Sequence, residues 1–280
     1  MDDKDALAQR FEEHRHHLRA VAYRMLGSLG DAEDAVQESW FRLSRSDAGE
    51  IHNLGGWLTT VVGRVCLDML RSRESRREDP MPDRLPDPIL TFGDDPEQEA
   101  LTADSVGLAL MVVLQELNPA ERLAFVLHDM FSVSFDEIAR ILDRTPAATR
   151  QLASRARRRV QGAAVPDSDV AGQRRVVDAF LSAARVGDFE SLVALLAPDV
   201  LLRAEMAGTL TVIKGAAEVA ARALMFRTVA QDFEHVLVNG AAGLMRTVDG
   251  RMTTVGVYLI RDGLIVEIDI WDGADRLSGL

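Results

Sequence analysis

Cysteine is almost missing from this 280-residue sequence: Cys66 stands alone, so no disulfide can close within the chain. That excludes a cross-braced secreted scaffold and leads us to expect a reducing, cytoplasmic setting. No apolar run reaches the roughly 18 residues that a membrane span needs, and the opening MDDKDALAQRFEEHRHHLRA lacks the basic-then-apolar order of an export signal. Neither export nor membrane association is expected. Internal repeats and low-complexity tracts are lacking as well. Positive charge is in deficit, with 32 Lys and Arg against 44 Asp and Glu and a formal net charge of −12. Such a balance repels phosphate at long range, so only a local basic surface can attract nucleic acid.

Two such places exist. RVCLDMLRSRESRR spans residues 64 to 77, and TRQLASRARRRV, residues 149 to 160, carries five arginines and no acid. The rest of the composition, 47% hydrophobic and 27% charged, is that of a globular chain with room for more than one domain.

Residues 1 to 78 show apolar residues at three-and-four spacing, which predicts three or four helices. Residues 79 to 97, DPMPDRLPDPILTFGDDPE, hold five of the nine prolines, a composition that resists helix and sheet and predicts an extended linker. A second helical block fills 98 to 163. From 170 to 280 the pattern changes: two helices, a strand DVLLRAEM, a helix near 215 to 226, then three strand candidates with Asp-Gly turn signals at 249–250 and 262–263. Helices followed by mostly antiparallel strands predict an α+β domain whose curved sheet wraps over its helices.

Within the second helical block, SFDEIARILDRTPAATRQLASRARRRV reads as two helices in quick succession. Ser134 and Glu137 form a capping-box pair ahead of Ile138, Ile141 and Leu142. Thr145 can cap a second helix that begins at Pro146, where a missing amide proton does no harm. On that helix Ala148, Leu152, Ala153, Ala156 and Val160 share one arc. Arg150, Gln151, Ser154, Arg157 and Arg158 share the opposite one, with Arg155 between them. This is the helix-turn-helix arrangement, whose second helix enters the major groove. Arginine suits that position because its fork grips guanine edges or phosphate oxygens. A solvated basic face is the plainer reading of an arginine run alone, but the caps, the turn length and the two-sided helix favour DNA.

At this point LNPAERLAFVLHDMFSVSFDEIARILDRTPAATRQLASRARRRV resembles region 4 of extracytoplasmic-function (ECF) sigma factors of the sigma-70 family. LGDAEDAVQESWFRL and LGGWLTTVVGRVCLDMLRSRESRRE resemble their region 2, and the last 110 or so residues resemble the SnoaL-like (NTF2-like) extension of one subset. The resemblance implies a multidomain fold: two all-α domains, region 2 at 1–78 and region 4 at 98–163, then a cone-shaped α+β domain at 170–280. It implies an alternative sigma factor that binds core RNA polymerase and directs promoter-specific initiation, with the extension regulating it in cis. Region 4 would read the −35 element through Arg150, Gln151, Ser154, Arg155, Arg157 and Arg158. Region 2 would meet the −10 element through Arg64, Arg71, Arg73, Arg76 and Arg77.

The helical pattern accommodates both tasks of region 2. Val36, Trp40 and Leu43 form a packing stripe, leaving Asp34, Gln37, Glu38 and Phe41 as the surface that the resemblance assigns to core polymerase. Arg64, Asp68, Arg71 and Ser75 line one stripe of the next helix, and Val61, Val65 and Met69 another. Trp57 is expected to be a core anchor. The loop RSDAGEIHNLGG has no aromatic platform for a flipped base. Three motifs of the subset are altered. The linker reads RLPDPI, with Arg84 where the subset carries tryptophan, and EMAGT and WDGADRL replace its glycine-rich and Asn-Pro-Asp-Lys runs.

An enzyme would need a carboxylate or histidine in an apolar pocket. Glu267 and Asp269 share a strand face with Trp271, Arg203 and Glu205 share another, and His235 is the only histidine of that block. The polar side of a half-buried strand accounts for Glu267 and Asp269 better than catalysis does, so no catalytic residue is assigned. His14 and His17 lie one helical turn apart without a second ligand pair, so no metal and no cofactor is expected. An unknown small ligand of the C-terminal domain is an open expectation. The competing readings are a free-standing helix-turn-helix regulator sensing such a ligand, and an enzyme fused to a DNA-binding module.

Overall fold

The structure is a computed structural model in which residues 3–46, 51–75, 84–92, 107–161, 169–227 and 232–278 are described. It divides into two compact units, residues 1–81 with 111–163 and residues 82–110 with 164–280.

The first unit is helical. Helix α1 (Asp3–Leu26), α2 (Leu29–Ser44) and α3 (Leu54–Ser75) pack together, and α4 (Leu108–Glu116) opens the second helical block. Helix α5 (Pro119–Phe125) then runs into a single π-helical turn (Val126–Met130), followed by α6 (Phe135–Leu142) and α7 (Pro146–Val160). Leu18, Val21 and Met25 of α1, at helical spacing, meet Val36 and Leu43 of α2 and Leu58, Val62 and Leu67 of α3 in a fully buried core. Gly27, at φ +73°, ends α1 in the left-handed region, and Ser28 caps α2 by accepting from the Asp31 amide.

The two helical blocks are one unit. Arg122 of α5 is buried and donates from Nη1 to the Met25 carbonyl (2.8 Å) and from Nη2 to the Gln115 carbonyl (2.7 Å). Arg24 lies over the Phe131 ring at 4.8 Å, and the His17 ring meets the same ring edge-on. Gly63 of α3 makes the close approach possible: a Cβ there would sit 3.1 Å from Leu127 Cδ1.

The second unit is α+β. Helix α8 (Val170–Val186), α9 (Phe189–Ala194) and α10 (Ala216–Met225) lie on one face of a seven-stranded sheet. Its strands are β1 (Leu90–Thr91), β2 (Leu196–Met206), β3 (Thr209–Lys214), β4 (Phe233–Val238), β5 (Ala241–Val248), β6 (Arg251–Arg261) and β7 (Leu264–Asp272). The order is β1-β4-β5-β6-β7-β2-β3, antiparallel throughout except for the parallel β2–β7 pair. A short α11 (Ala274–Leu277) follows. Val177, Phe180, Leu192, Val219, Tyr258 and Ile265 fill the space between helices and sheet. Helices packed on one face of a mostly antiparallel sheet make this unit the α+β domain expected from the sequence.

Four hairpins turn on residue pairs with positive φ: Ala207–Gly208, Asn239–Gly240, Asp249–Gly250 and Asp262–Gly263. Both residues being left-handed is the type I′ geometry that matches strand twist. Four strands, β4 to β7, follow α10 where three were expected, the added hairpin turning at Asn239–Gly240, and β3 before α10 is a further strand that was not expected.

The proline-rich segment differs most from its expectation. Instead of remaining an extended linker outside any sheet, residues 84–91 dock on the sheet face away from the helices, and Leu90 and Thr91 pair with Val238 and Leu237. Asn239 clamps the entry, donating its amide to the Ile89 carbonyl (2.8 Å) while its side chain accepts from the Ile89 amide (3.1 Å). The fully buried Trp271 donates from Nε1 to the Pro86 carbonyl (3.0 Å). Glu205, 2% exposed, accepts from the Leu85 amide, Arg84 Nε and Arg276 Nε, each at 3.1 Å. Arg276 also donates to the Leu85 carbonyl at 3.0 Å and pairs with Asp87. A buried carboxylate is tolerable only with such a full set of donors.

Beside this dock, Arg203 Nε meets Asp269 Oδ1 at 2.6 Å and its Nη2 meets Glu267 Oε2 at 2.7 Å. Burial pulls the Arg203 guanidinium down, but Asp269 and Glu267 outweigh it and hold it above its ordinary value. The face carrying Glu267, Asp269 and Trp271 is thus the polar side of the strand, with its carboxylates ion-paired and Asp269 and Trp271 buried. His235 lies apart from it, 2.8 Å from Asp178.

Candidate nucleic-acid interface

The helix-turn-helix is built by its caps. Ser134 Oγ accepts from the Glu137 amide (3.3 Å) while the Glu137 carboxylate accepts from the Ser134 amide (3.2 Å), closing the capping box. Asp143, at φ +53°, ends α6 in the left-handed conformation, where a short polar side chain is tolerated. Thr145 then accepts from the Ala148 amide (3.2 Å) and Pro146 starts α7. Ile138, Ala139, Ile141 and Leu142 of α6 bury against Thr149, Leu152, Ala153 and Ala156 of α7. Thr149 joins the packed side because its hydroxyl donates to the Thr145 carbonyl (3.1 Å), leaving no unmet polar group.

The outward side of α7 exposes Arg150, Gln151, Ser154, Arg155 and Arg158. The arginine run is not uniform. Arg157 is half-buried and pairs with Asp129 at 2.6 Å, and Arg159 reaches the Glu116 carbonyl (3.3 Å) and the Glu121 carboxylate (3.5 Å). Those two tie α7 to its own unit. Arg155 and Arg158 form no ion pair among the described residues, and Arg150 lies over the Phe135 ring. Arg140 on α6 and Arg144 in the turn are also exposed, a contribution that periodicity on α7 alone could not show.

On α3, Arg64, Asp68 and Arg71 form the exposed stripe, with Val61 and Met69 only half-buried. The packed side is broader than expected and includes Val62, Gly63, Cys66, Leu67 and Leu70. Arg64 donates to the Arg140 carbonyl at 3.3 Å, and Arg73 pairs with Asp31 at 2.6 Å. Arg76 and Arg77 lie outside the described residues. Burial pushes the Cys66 thiol up, which makes it an unreactive core group.

Helix α2 exposes Asp34, Gln37 and Phe41, the last being 42% exposed, while Glu38 holds Arg42 at 3.0 Å one turn on. Val36 and Leu43 are buried, and Trp40 tilts against Phe11 at 5.2 Å. Trp57 is half-buried. His14 covers Gly55, and His17 Nε2 lies 3.1 Å from Thr59 Oγ1.

This geometry can be compared with known proteins. The sigma-70 region 2 family matches residues 10–76 and the sigma-70 region 4 family matches residues 107–160. The probable ECF RNA polymerase sigma factor SigI of Mycobacterium tuberculosis is 37% identical over 209 residues, 71% of this chain and 70% of its own length. This chain belongs to the ECF RNA polymerase sigma factors. Another member of the family, SigJ of Mycobacterium tuberculosis, is 44% identical over 202 residues, which span 71% of this chain and 64% of SigJ. The crystal structure of that extracytoplasmic function sigma factor superposes with a TM-score of 0.75 at 34% identity, covering 97% of this chain and 98% of the solved one. In this ECF sigma factor the helix-turn-helix falls inside the region 4 match and both α2 and α3 fall inside the region 2 match. No helix among the described residues is long and apolar enough to cross a membrane.

Proposed function

We propose that this ECF sigma factor binds core RNA polymerase and directs promoter-specific transcription initiation, without enzymatic chemistry of its own. Residues 98–163 form the −35-reading region, residues 1–78 the −10 and polymerase-binding region, and residues 170–280 a domain that regulates both in cis from the cytoplasm. The observation that carries this reading is the doubly capped helix-turn-helix, with Arg150, Gln151, Ser154, Arg155 and Arg158 directed outward in a chain of net charge −12. A protein that otherwise repels DNA meets it through that surface. Asp34, Gln37, Glu38 and Phe41 supply an acidic face with an exposed ring, suited to a protein partner.

Promoter elements named −35 and −10 lie about 25 base pairs apart, or about 85 Å at 3.4 Å per base pair. Yet α3 touches α6 here through the Arg64 hydrogen bond. The helical unit must therefore open before both elements are engaged, and the packed arrangement is the resting one.

The test is reconstitution of the full chain with bacterial core RNA polymerase, scored by co-purification and by transcripts from a promoter library. Association with core and initiation at a defined promoter class are expected. Tight binding to a duplex operator without polymerase, and no association with core, would instead support a free-standing regulator.

A further inference from the structure

Phe135 opens α6, directly after the N-cap Ser134. Two groups lie against its ring. His128, from the π-helical turn, stacks on it with 3.7 Å between centroids and 29° between planes, and the Arg150 guanidinium carbon lies 5.5 Å from the same centroid. The platform is fixed at both ends. His128 Nδ1 donates to the Val133 carbonyl at 2.9 Å, and the capping box holds the backbone beside Phe135.

Arg150 itself is exposed, in the second turn of α7. In a helix-turn-helix the N-terminal part of the second helix meets base edges. A guanidinium offers its five N–H groups around the edge of its plane, whereas contact with a ring uses its face. Ring contact can therefore orient Arg150 while its bidentate edge remains available for a guanine O6/N7 pair. An arginine without that support samples many rotamers, and ordering it on DNA weakens recognition. Arg155 and Arg158 have no ring partner among the described residues, as phosphate contacts require no fixed edge.

We infer that Phe135 is a positioning residue for −35 recognition, holding the Arg150 side chain in the orientation that reads a base. The inference rests on the assignment of α7 as the reading helix. The test keeps the two apart.

The full chain and bacterial core polymerase select from a promoter library randomised through the upstream element. Arg150→Ala identifies the base position that depends on Arg150. Phe135→Met retains apolar volume but removes the ring face, and Phe135→Leu is a second ring-free variant in case the first folds poorly. The expected result is a two- to fivefold (about the size of an exposed cation–π contact) loss of discrimination at that same position. Other positions and the salt slope of binding stay unchanged, because phosphate contacts are intact. Phe135→Tyr restores the discrimination. Full sharpness at that position in the ring-free variants, or an equal weakening at every position, overturns the positioning role. If Arg150→Ala blurs no position, the assignment of α7 fails and the positioning role falls with it.

Discussion

Arg150 and Arg157 sit two turns apart on one helix and do different work, because one meets a ring and the other a carboxylate. Arg150→Ala should weaken binding to the preferred −35 sequence by about 1–3 kcal/mol while sparing unrelated sequences. Arg158→Ala should weaken all sequences alike and lower the salt slope by about one. Equal, sequence-independent losses in a filter or anisotropy titration would refute base reading at 150. His17, in α1, carries a pH signature. Burial, then the charges of His14, Arg24 and His16, holds it below the usual imidazole range. Thr59 commits its hydroxyl proton to the Gly55 carbonyl (2.8 Å), so it accepts from His17 Nε2, which a neutral ring supplies. The unfolded chain binds the proton first, so His17 favours folding above about pH 6.5, and that contribution is lost as the pH falls below it. Thermal melts of His17→Gln should show a flatter decline between pH 7 and pH 5 than wild type; identical slopes would refute it. The arginine run was legible in the sequence, but its division was not. Asp129, the partner of Arg157, is 28 residues away, beyond the reach of helical periodicity.

At the scale of elements, the helix-turn-helix was readable because its signals are local: a Ser134–Glu137 pair, a left-handed Asp143, Thr145 and Pro146 lie in consecutive positions. Ser134→Ala should destabilise the helical unit by about 1 kcal/mol, measured by chemical denaturation. Strand β3 escaped because its hairpin turns on Ala207–Gly208, where no asparagine or aspartate marks the left-handed residue. Ala207→Asn should stabilise that hairpin by about 0.5–1 kcal/mol, visible as slower amide exchange across Met206 and Thr209. The Asn239–Gly240 turn is a strong signal that the sequence does contain. Strand β1 could not be read locally at all: two residues in a proline-rich segment become a strand only because β4 offers an edge. The altered motifs acquire a meaning at the same scale. Arg84 of the RLPDPI stretch pairs with Glu205 of the EMAGT stretch, so two segments 121 residues apart in sequence answer each other in the fold. Glu205→Gln should free the segment, with faster exchange of the Leu85 and Ile89 amides and a loss of about 2–3 kcal/mol.

For the whole molecule, the closeness of α3 to α5 and α6 is, on the proposed function, the constraint that promoter engagement releases. Gly63→Leu would drive side-chain atoms into Leu127 and Leu123, whose methyl carbons already lie 3.1 and 3.4 Å from a Cβ placed there. Small-angle scattering should report a larger radius of gyration, and core association should rise; an unchanged radius would refute the resting role of this packing. The change from helical to sheet-rich chain was legible because composition changes along the chain, whereas the packing of the two helical blocks depends on long-range contacts such as Arg122 to Met25. Along the polypeptide the units alternate: helical module, sheet edge, helical module, sheet. They are interleaved rather than consecutive, so no one peptide bond parts them. A chain cut near residue 166 would leave Leu90 and Thr91 with no β4 to receive them, and any change in transcription would reflect a stranded connector as well as a missing domain.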